Sequence, residues 1–179
     1  MTAHHQTGRR YLLGRPVRVA TYASGDDFET VDGQESSLRA FLVTRPGWVL
    51  TASYLDVRPR NRTGRIQLRR ALADAALGRF DVLLVYDTSR LTRDLRQLSA
   101  IIADLDAAGV TLCSSSERFD TATPIGWFTA GLIAAFAAFE ATSAEPAAAA
   151  RARHRVRPSG HRPRRRPRTG RHGGAQTAP

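Results

Sequence analysis

Serine hydroxyls and arginine guanidiniums gather at three places in this sequence where an anion could be held. Ser24 follows the segment 17–22 (VRVATY). Arg58, Arg60 and Arg62 lie in the polar stretch 56–64, which leads to Arg65, and Ser89, Arg90 and Arg93 follow the apolar run 81–86 (DVLLVY). Arg90 and Arg93 are three residues apart and are expected to share a face at the start of a helix. The helix dipole disfavours cations there, so a pair of them points to an anionic neighbour. Each group also has a plainer reading: a serine after a strand is usually a turn or cap residue, and paired arginines are usually a solvated face. What favours an anion site is that all three groups follow segments of strand type, and so fall at one edge of any sheet those segments build.

The elements that must position them follow from periodicity. Residues 17–22 alternate apolar and polar, 48–54 read as a second strand, 81–86 form a continuous apolar run suited to burial on both faces, and 110–114 make a fourth strand. Between them, Leu38, Phe41 and Leu42 fit a helix over 31–42, and Ile66, Leu68, Leu72, Ala76 and Leu77 fit one closed by Gly78. Leu91, Leu95, Leu98, Ile102 and Leu105 fit a long helix ending near Ala108. A last helix starts near Thr123 and is expected to stop before Pro146. Strand and helix alternate throughout, which predicts an α/β fold: a mainly parallel sheet of four strands, possibly five, with helices on both faces. In such sheets ligands bind beyond the carboxyl ends of the strands, where the three groups fall.

At 179 residues, 42% hydrophobic, the chain has room for one core-building domain, expected over residues 15–145, and a tail. All 27 basic residues are arginine, against 16 acids, a formal charge of +11. Ten arginines lie between 151 and 171 and no acid follows Glu145, so the first 150 residues hold 17 arginines against 16 acids. The charge belongs to the tail, 146–179, whose Ala, Arg, Pro and Gly cannot build a core and are expected to be disordered, as are residues 1–14. A tail carrying Arg164, Arg165 and Arg166 can neutralise nucleic-acid phosphates or simply solubilise an end, and composition leaves both open. The N-terminus has no apolar run of signal-peptide length, which predicts a cytoplasmic protein. The single cysteine, Cys113, reads as a buried filler and excludes a disulfide framework or a Cys/His metal cluster. Residues 121–139 carry no charge over 19 positions, long enough to be mistaken for a membrane span. Their Ala, Gly and Thr content, with Phe128, Leu132, Phe136 and Phe139 at helical spacing, favours a buried or self-associating helix and no membrane partner.

Between residues 15 and 140 the sequence resembles the catalytic domain of the serine recombinases, the resolvase/invertase family. The matching residues run in family order: Tyr22-Ala23-Ser24, Gln34 with Leu38, Tyr54 to Asp56, Arg65 with Leu68, and 80–86 (FDVLLVY). Ser89-Arg90-Leu91-Thr92-Arg93, Asp120-Thr121 with Gly126, and 136–140 (FAAFE) complete the series. The resemblance implies that Ser24 attacks a DNA phosphate and holds the cut end as a phosphoserine ester, without metal or ATP. It implies that Arg65, Arg90 and Arg93 clamp the charge of the transition state, with Gln34, Ser89 and Asp120 in support. It also implies that the helix over 123–140 provides a dimer or tetramer surface. Arg58, Arg60, Arg62 and the tail arginines would then touch DNA.

Two departures stand out. The family arginine two residues before the nucleophile is missing, Arg18 being inside the strand and pointed elsewhere and so a poor substitute, and Ala141 stands where another arginine is expected. The sequence beyond residue 140 also leaves no room for the family's DNA-binding region, so a truncated or frame-shifted chain is the expectation. The reading therefore divides between a working recombinase and a folded remnant that associates with DNA or dimerises without turnover. A generic α/β phosphate- or nucleotide-binding domain is disfavoured, since no glycine-rich phosphate loop follows the first strand.

Overall fold

The computed structural model describes residues 14–57 and 64–155, with side chains described through Ser143. The chain divides into two units, Met1–Ser143 and Ala144–Pro179. The fold below is that of the first; of the second, only helical backbone as far as Arg155 is described.

The elements run β1 (Val17–Gly25), α1 (Phe28–Val43), β2 (Trp48–Val57), α2 (Ile66–Ala76), β3 (Val82–Val85), a 3-10 turn (Thr88–Arg90), α3 (Leu95–Ala107), β4 (Thr111–Ser114) and α4 (Pro124–Arg155). Among the described residues the sheet has four strands in the order β2-β1-β3-β4, and every pairing is parallel. Cys113 of β4 and Asp120 form an isolated antiparallel bridge.

Alternation along the strands divides the core between two faces. Ala20, Tyr22, Leu83, Val85 and Leu112 pack with Leu68 and Ala71 of α2 and with Leu98, Ile101 and Leu105 of α3. Val17, Val19, Val82, Leu84 and Cys113 pack on the opposite face with Leu38 of α1. The four residues of β3 are all buried, as its unbroken apolar run requires of a strand covered on both sides. Burial pushes the Cys113 thiol up to about 12, as befits an inert filler.

Both strands at the site are longer than their sequence pattern indicates. β1 runs on to Gly25 and β2 to Val57, because parallel pairing continues through Ser24 with Asp56 and Gly25 with Val57. Ser24 therefore belongs to β1 rather than to the loop beyond it. Gly25 lets the chain turn sharply into α1: a Cβ there would meet the Thr30 side chain at 2.9 Å. α1 starts earlier than its apolar residues suggest because Asp27 caps it, accepting from the Thr30 amide at 2.7 Å.

α3 departs from expectation in the other direction. It begins at Leu95, not Leu91, with Asp94 as its cap accepting from the amides of Arg96 and Gln97. Leu91 is buried in the core but lies in the connection after the 3-10 turn. α4 opens at Pro124, a position where proline is favoured, and continues past Pro146 to Arg155. Pro146 lacks the amide donor but is followed by four alanines, the strongest helix formers, and residues 146–155 are helical where a disordered tail was expected. The residues beyond, with Arg164, Arg165 and Arg166, and the loop residues Arg58, Arg60 and Arg62, lie outside the described residues.

α4 faces the core with small residues. Ala130 and Ala137 are buried and Ile133 is packed against the core, while Phe128, Leu132, Phe136 and Phe139 are exposed, the last 69%. The large residues thus are not core, contrary to the buried alternative. By length and composition residues 124–143 could cross a membrane, and most of the segment is exposed.

At the amino edge of the sheet, Arg15 and Arg18 both bind the Asp81 carboxylate, Arg18 through its backbone amide as well. Burial pushes the Asp81 carboxyl up, but hydrogen bonds from Arg18 and Arg15 outweigh it and hold the group at about 2, below the ordinary 3.8. A carboxyl depressed in the folded state stabilises the fold above its unfolded pKa, and that contribution fades as pH falls from 3.8 toward 2. Asp81→Asn is expected to lower Tm at neutral pH, with the gap to the native protein narrowing across that window, measured by circular dichroism melts.

Candidate functional site

Ser24 is the penultimate residue of β1 and only 4% exposed. Gln34 of α1, also buried, holds its backbone on both sides: Oε1 accepts from the Ser24 amide at 3.3 Å and Nε2 donates to the Ser24 carbonyl at 3.0 Å. The side-chain amide acts as a surrogate strand, which fixes the direction of the Ser24 side chain. That hydroxyl donates to the Arg90 carbonyl at 2.9 Å.

Arg65 comes to the same place from the other side. Its Nη1 donates to the Arg90 carbonyl at 3.2 Å and to the Leu91 carbonyl. Arg90 in turn sends its guanidinium back to Asp87, with Nε 3.1 Å from Oδ2, and the Ser89 hydroxyl donates to the other carboxylate oxygen. Burial pushes the Asp87 carboxyl up, but the bonds from Ser89 and Arg90 outweigh this and leave it below the usual carboxylate range. Ser24, Arg65, Ser89, Arg90 and the exposed Arg93 line a cleft of about 440 Å³, together with Asp26 and Asp27. Guanidiniums facing such a cleft can clamp a phosphoryl group through paired hydrogen bonds.

The convergence expected from the sequence is present, but the helix start expected to carry Arg90 and Arg93 is not. Arg90 lies in the 3-10 turn and Arg93 between that turn and α3, so neither sits in the first turn of a helix. Asp94 already serves the amides of α3. The arginines are brought to the cleft by the turn and by Asp87. Asp120 is elsewhere: its carboxylate accepts from the Ala122 amide at 2.8 Å and its carbonyl from Thr123, ordering the entry to α4. A Cβ on Gly126 would overlap the Asp120 carbonyl, so only glycine allows α4 to start this close. Arg18, bound to Asp81 at the opposite edge of the sheet, does not reach Ser24.

Asp56 plays a part that the sequence conceals. It is buried in β2 and accepts from the first-turn amides of α2, Gln67 at 3.1 Å and Leu68 at 3.0 Å, and from the Tyr22 hydroxyl at 3.2 Å. The N-cap position of α2 is Arg65 itself, which makes no side-chain cap. A strand carboxylate therefore caps the helix and frees Arg65 to reach the cleft. Burial is the main reason the Tyr22 hydroxyl is pushed up to about 12, keeping it a donor to Asp56. Searching next to the helix start finds no capping signal, because the cap arrives across the sheet.

Among the described residues no group of three or more His, Cys, Asp or Glu side chains could hold a metal ion.

Residues 17–157 match the family described as the resolvase N-terminal domain. The chain is 38% identical over 73 residues to a probable DNA-invertase, y4cG, of Sinorhizobium fredii, covering 41% of this chain and 23% of that protein. It is 33% identical over 79 residues to the serine recombinase gin of Escherichia phage Mu, covering 44% and 40%. The matched stretch thus spans less than half the length of these curated relatives. The crystal structure of the N-terminal catalytic domain of TP901-1 integrase superposes with a TM-score of 0.64 at 24% identity, over 70% of this chain and 97% of that one, a likeness of fold. With the family model covering most of the sequence, this chain belongs to the resolvase family of serine recombinases, matching its N-terminal domain.

Proposed function

We propose that this chain cuts and rejoins DNA strands in site-specific recombination, with Ser24 as the nucleophile. The family supports recombination in general. What supports the finer reading is one observation: the Ser24 hydroxyl and the Arg65 guanidinium meet on the Arg90 carbonyl, with Arg90 and Arg93 lining the same cleft. In the reaction the Ser24 oxygen bonds to a backbone phosphorus and one bridging P–O bond breaks. The proton lost by the serine hydroxyl is matched by the one the departing deoxyribose oxygen takes up. One phosphate ester replaces another, so the bond energy is kept for rejoining, and neither metal nor ATP is required to drive it. Negative charge building on the phosphoryl oxygens would be met by Arg65, Arg90 and Arg93, each offering planar paired donors. Gln34 keeps the nucleophile aimed, and Ser89 and Asp87 hold Arg90; Asp120 supports from a distance by ordering the entry to α4.

A second reading has its own observation. Tyr22 and Ala23, the residues before Ser24, are buried and carry no cation, and Arg18 is spent on Asp81. Losing one transition-state arginine costs about 3 kcal/mol, a hundredfold or more in rate. That deficit favours a folded module that binds DNA or self-associates without turnover. In either reading Arg58, Arg60, Arg62 and Arg164, Arg165 and Arg166 would contact phosphates, positioning DNA without specifying its sequence. The exposed stripe of Phe128, Leu132, Phe136 and Phe139 fits a second copy of α4, giving a homodimer or tetramer.

Two tests follow. Incubated with labelled supercoiled DNA carrying the sequence flanking its own gene, the protein is expected to form a DNA-linked band on a denaturing gel that Ser24→Ala abolishes. No band from a folded, DNA-bound protein favours the module without turnover. For self-association, Phe136→Glu is expected to shift the mass in light scattering from oligomer to monomer while the circular dichroism spectrum is kept. A native protein that is monomeric, or that partitions into lipid vesicles, overturns the oligomer reading.

A further inference from the structure

The segment carrying the Arg90 carbonyl is held from outside the cleft, by the loop that follows β4. Ser115 and Ser116 donate their amides to the Val85 and Tyr86 carbonyls, each at 2.9 Å. The hydroxyls of Ser114 and Ser116 also reach the Tyr86 carbonyl, at 2.8 and 2.7 Å. Glu117 then takes the next residues: its Oε2 accepts from the Thr88 amide at 3.0 Å and its Oε1 from the Thr88 hydroxyl at 3.5 Å. The Glu117 amide is itself fixed by the Ser114 hydroxyl at 3.1 Å.

Thr88 opens the 3-10 turn, and as its first residue it has an amide that no bond within the turn satisfies. The turn closes when the Leu91 amide binds the Thr88 carbonyl at 3.1 Å, and the two carbonyls that receive Ser24 and Arg65 belong to Arg90 and Leu91. The position of the Thr88 peptide therefore sets where those carbonyls stand. A carboxylate binding a backbone amide is a charge-assisted bond, stronger than a neutral one.

We propose that Glu117 is a positioning residue for the Ser24 reaction: by holding the Thr88 amide it fixes the turn on which Ser24 and Arg65 rest. The inference builds on the reading of Ser24 as nucleophile. Glu117 touches neither Ser24 nor the cleft, so it acts only through the turn. An exposed glutamate of no consequence would be expected to leave the turn unchanged when removed.

The test compares the native chain with Glu117→Ala, Glu117→Gln and, as a neighbouring exposed control, Arg118→Ala. Two measurements are made: amide hydrogen exchange without DNA, and the single-turnover rate of the Ser24–DNA adduct at saturating DNA. Glu117→Ala is expected to speed exchange at Thr88, Arg90 and Leu91 by about tenfold or more, leaving Leu83 and Leu84 unchanged. It is expected to slow adduct formation by about tenfold without altering the DNA Kd. Glu117→Gln keeps an oxygen acceptor for the Thr88 amide and recovers most of both losses, and Arg118→Ala changes neither. Unchanged exchange in Glu117→Ala overturns the inference, as does faster exchange with an adduct rate equal to the native one. A native protein that forms no adduct defeats the nucleophile reading instead, and the exchange data then decide alone whether Glu117 holds the turn.

Discussion

The carbonyl of Arg90 is the point on which the arrangement at this sheet edge depends. It accepts the Ser24 hydroxyl from β1 and the Arg65 guanidinium from the start of α2, two groups far apart in sequence. For it to serve both, β1 must extend to Gly25, α2 must begin without using Arg65 as a cap, and the 3-10 turn must stay where it is. The parallel pairing of Ser24 with Asp56 meets the first condition, and the Asp56 carboxylate on the α2 amides meets the second. The Asp87 ion pair within the turn and Glu117 outside it meet the third. Each of these groups is bonded to something the others also need, so the site is a network whose members are not independent.

Ser24 and Arg65 both bind protein carbonyls, so a phosphate entering the cleft would exchange those bonds for its own. A guanidinium loses little in that exchange, because an anionic oxygen is a stronger acceptor than a neutral carbonyl. The hydroxyl, already directed by Gln34, has only to release one bond.

Much of this was legible in the sequence, and the parts that were not share a cause. Strand and helix alternation places Ser24, Arg65, Ser89, Arg90 and Arg93 at one edge, because parallel topology leaves few alternatives. Periodicity misplaces the start of α3, since Leu91 lies on the same stripe as Leu95 and Leu98 while the Asp94 cap resets the helix behind it. It also fails to distinguish core from surface on α4, where Phe128 and Phe136 recur as a core stripe would, yet the helix packs through Ala130 and Ala137. Asp56 and Glu117 escape notice because each satisfies backbone amides of a distant segment, and capping rules look only at neighbours in sequence. Pro146 reads as a stop, but one missing amide does not outweigh an alanine-rich helix around it.

The most direct test of the account is to map the residue joined to DNA. Digestion of the protein–DNA adduct with protease and nuclease, followed by tandem mass spectrometry, locates the phosphoester. Ser24 alone is expected to carry it. A phosphoester on Ser89, which lines the same cleft, or no modified peptide from a folded protein bound to DNA, would contradict it.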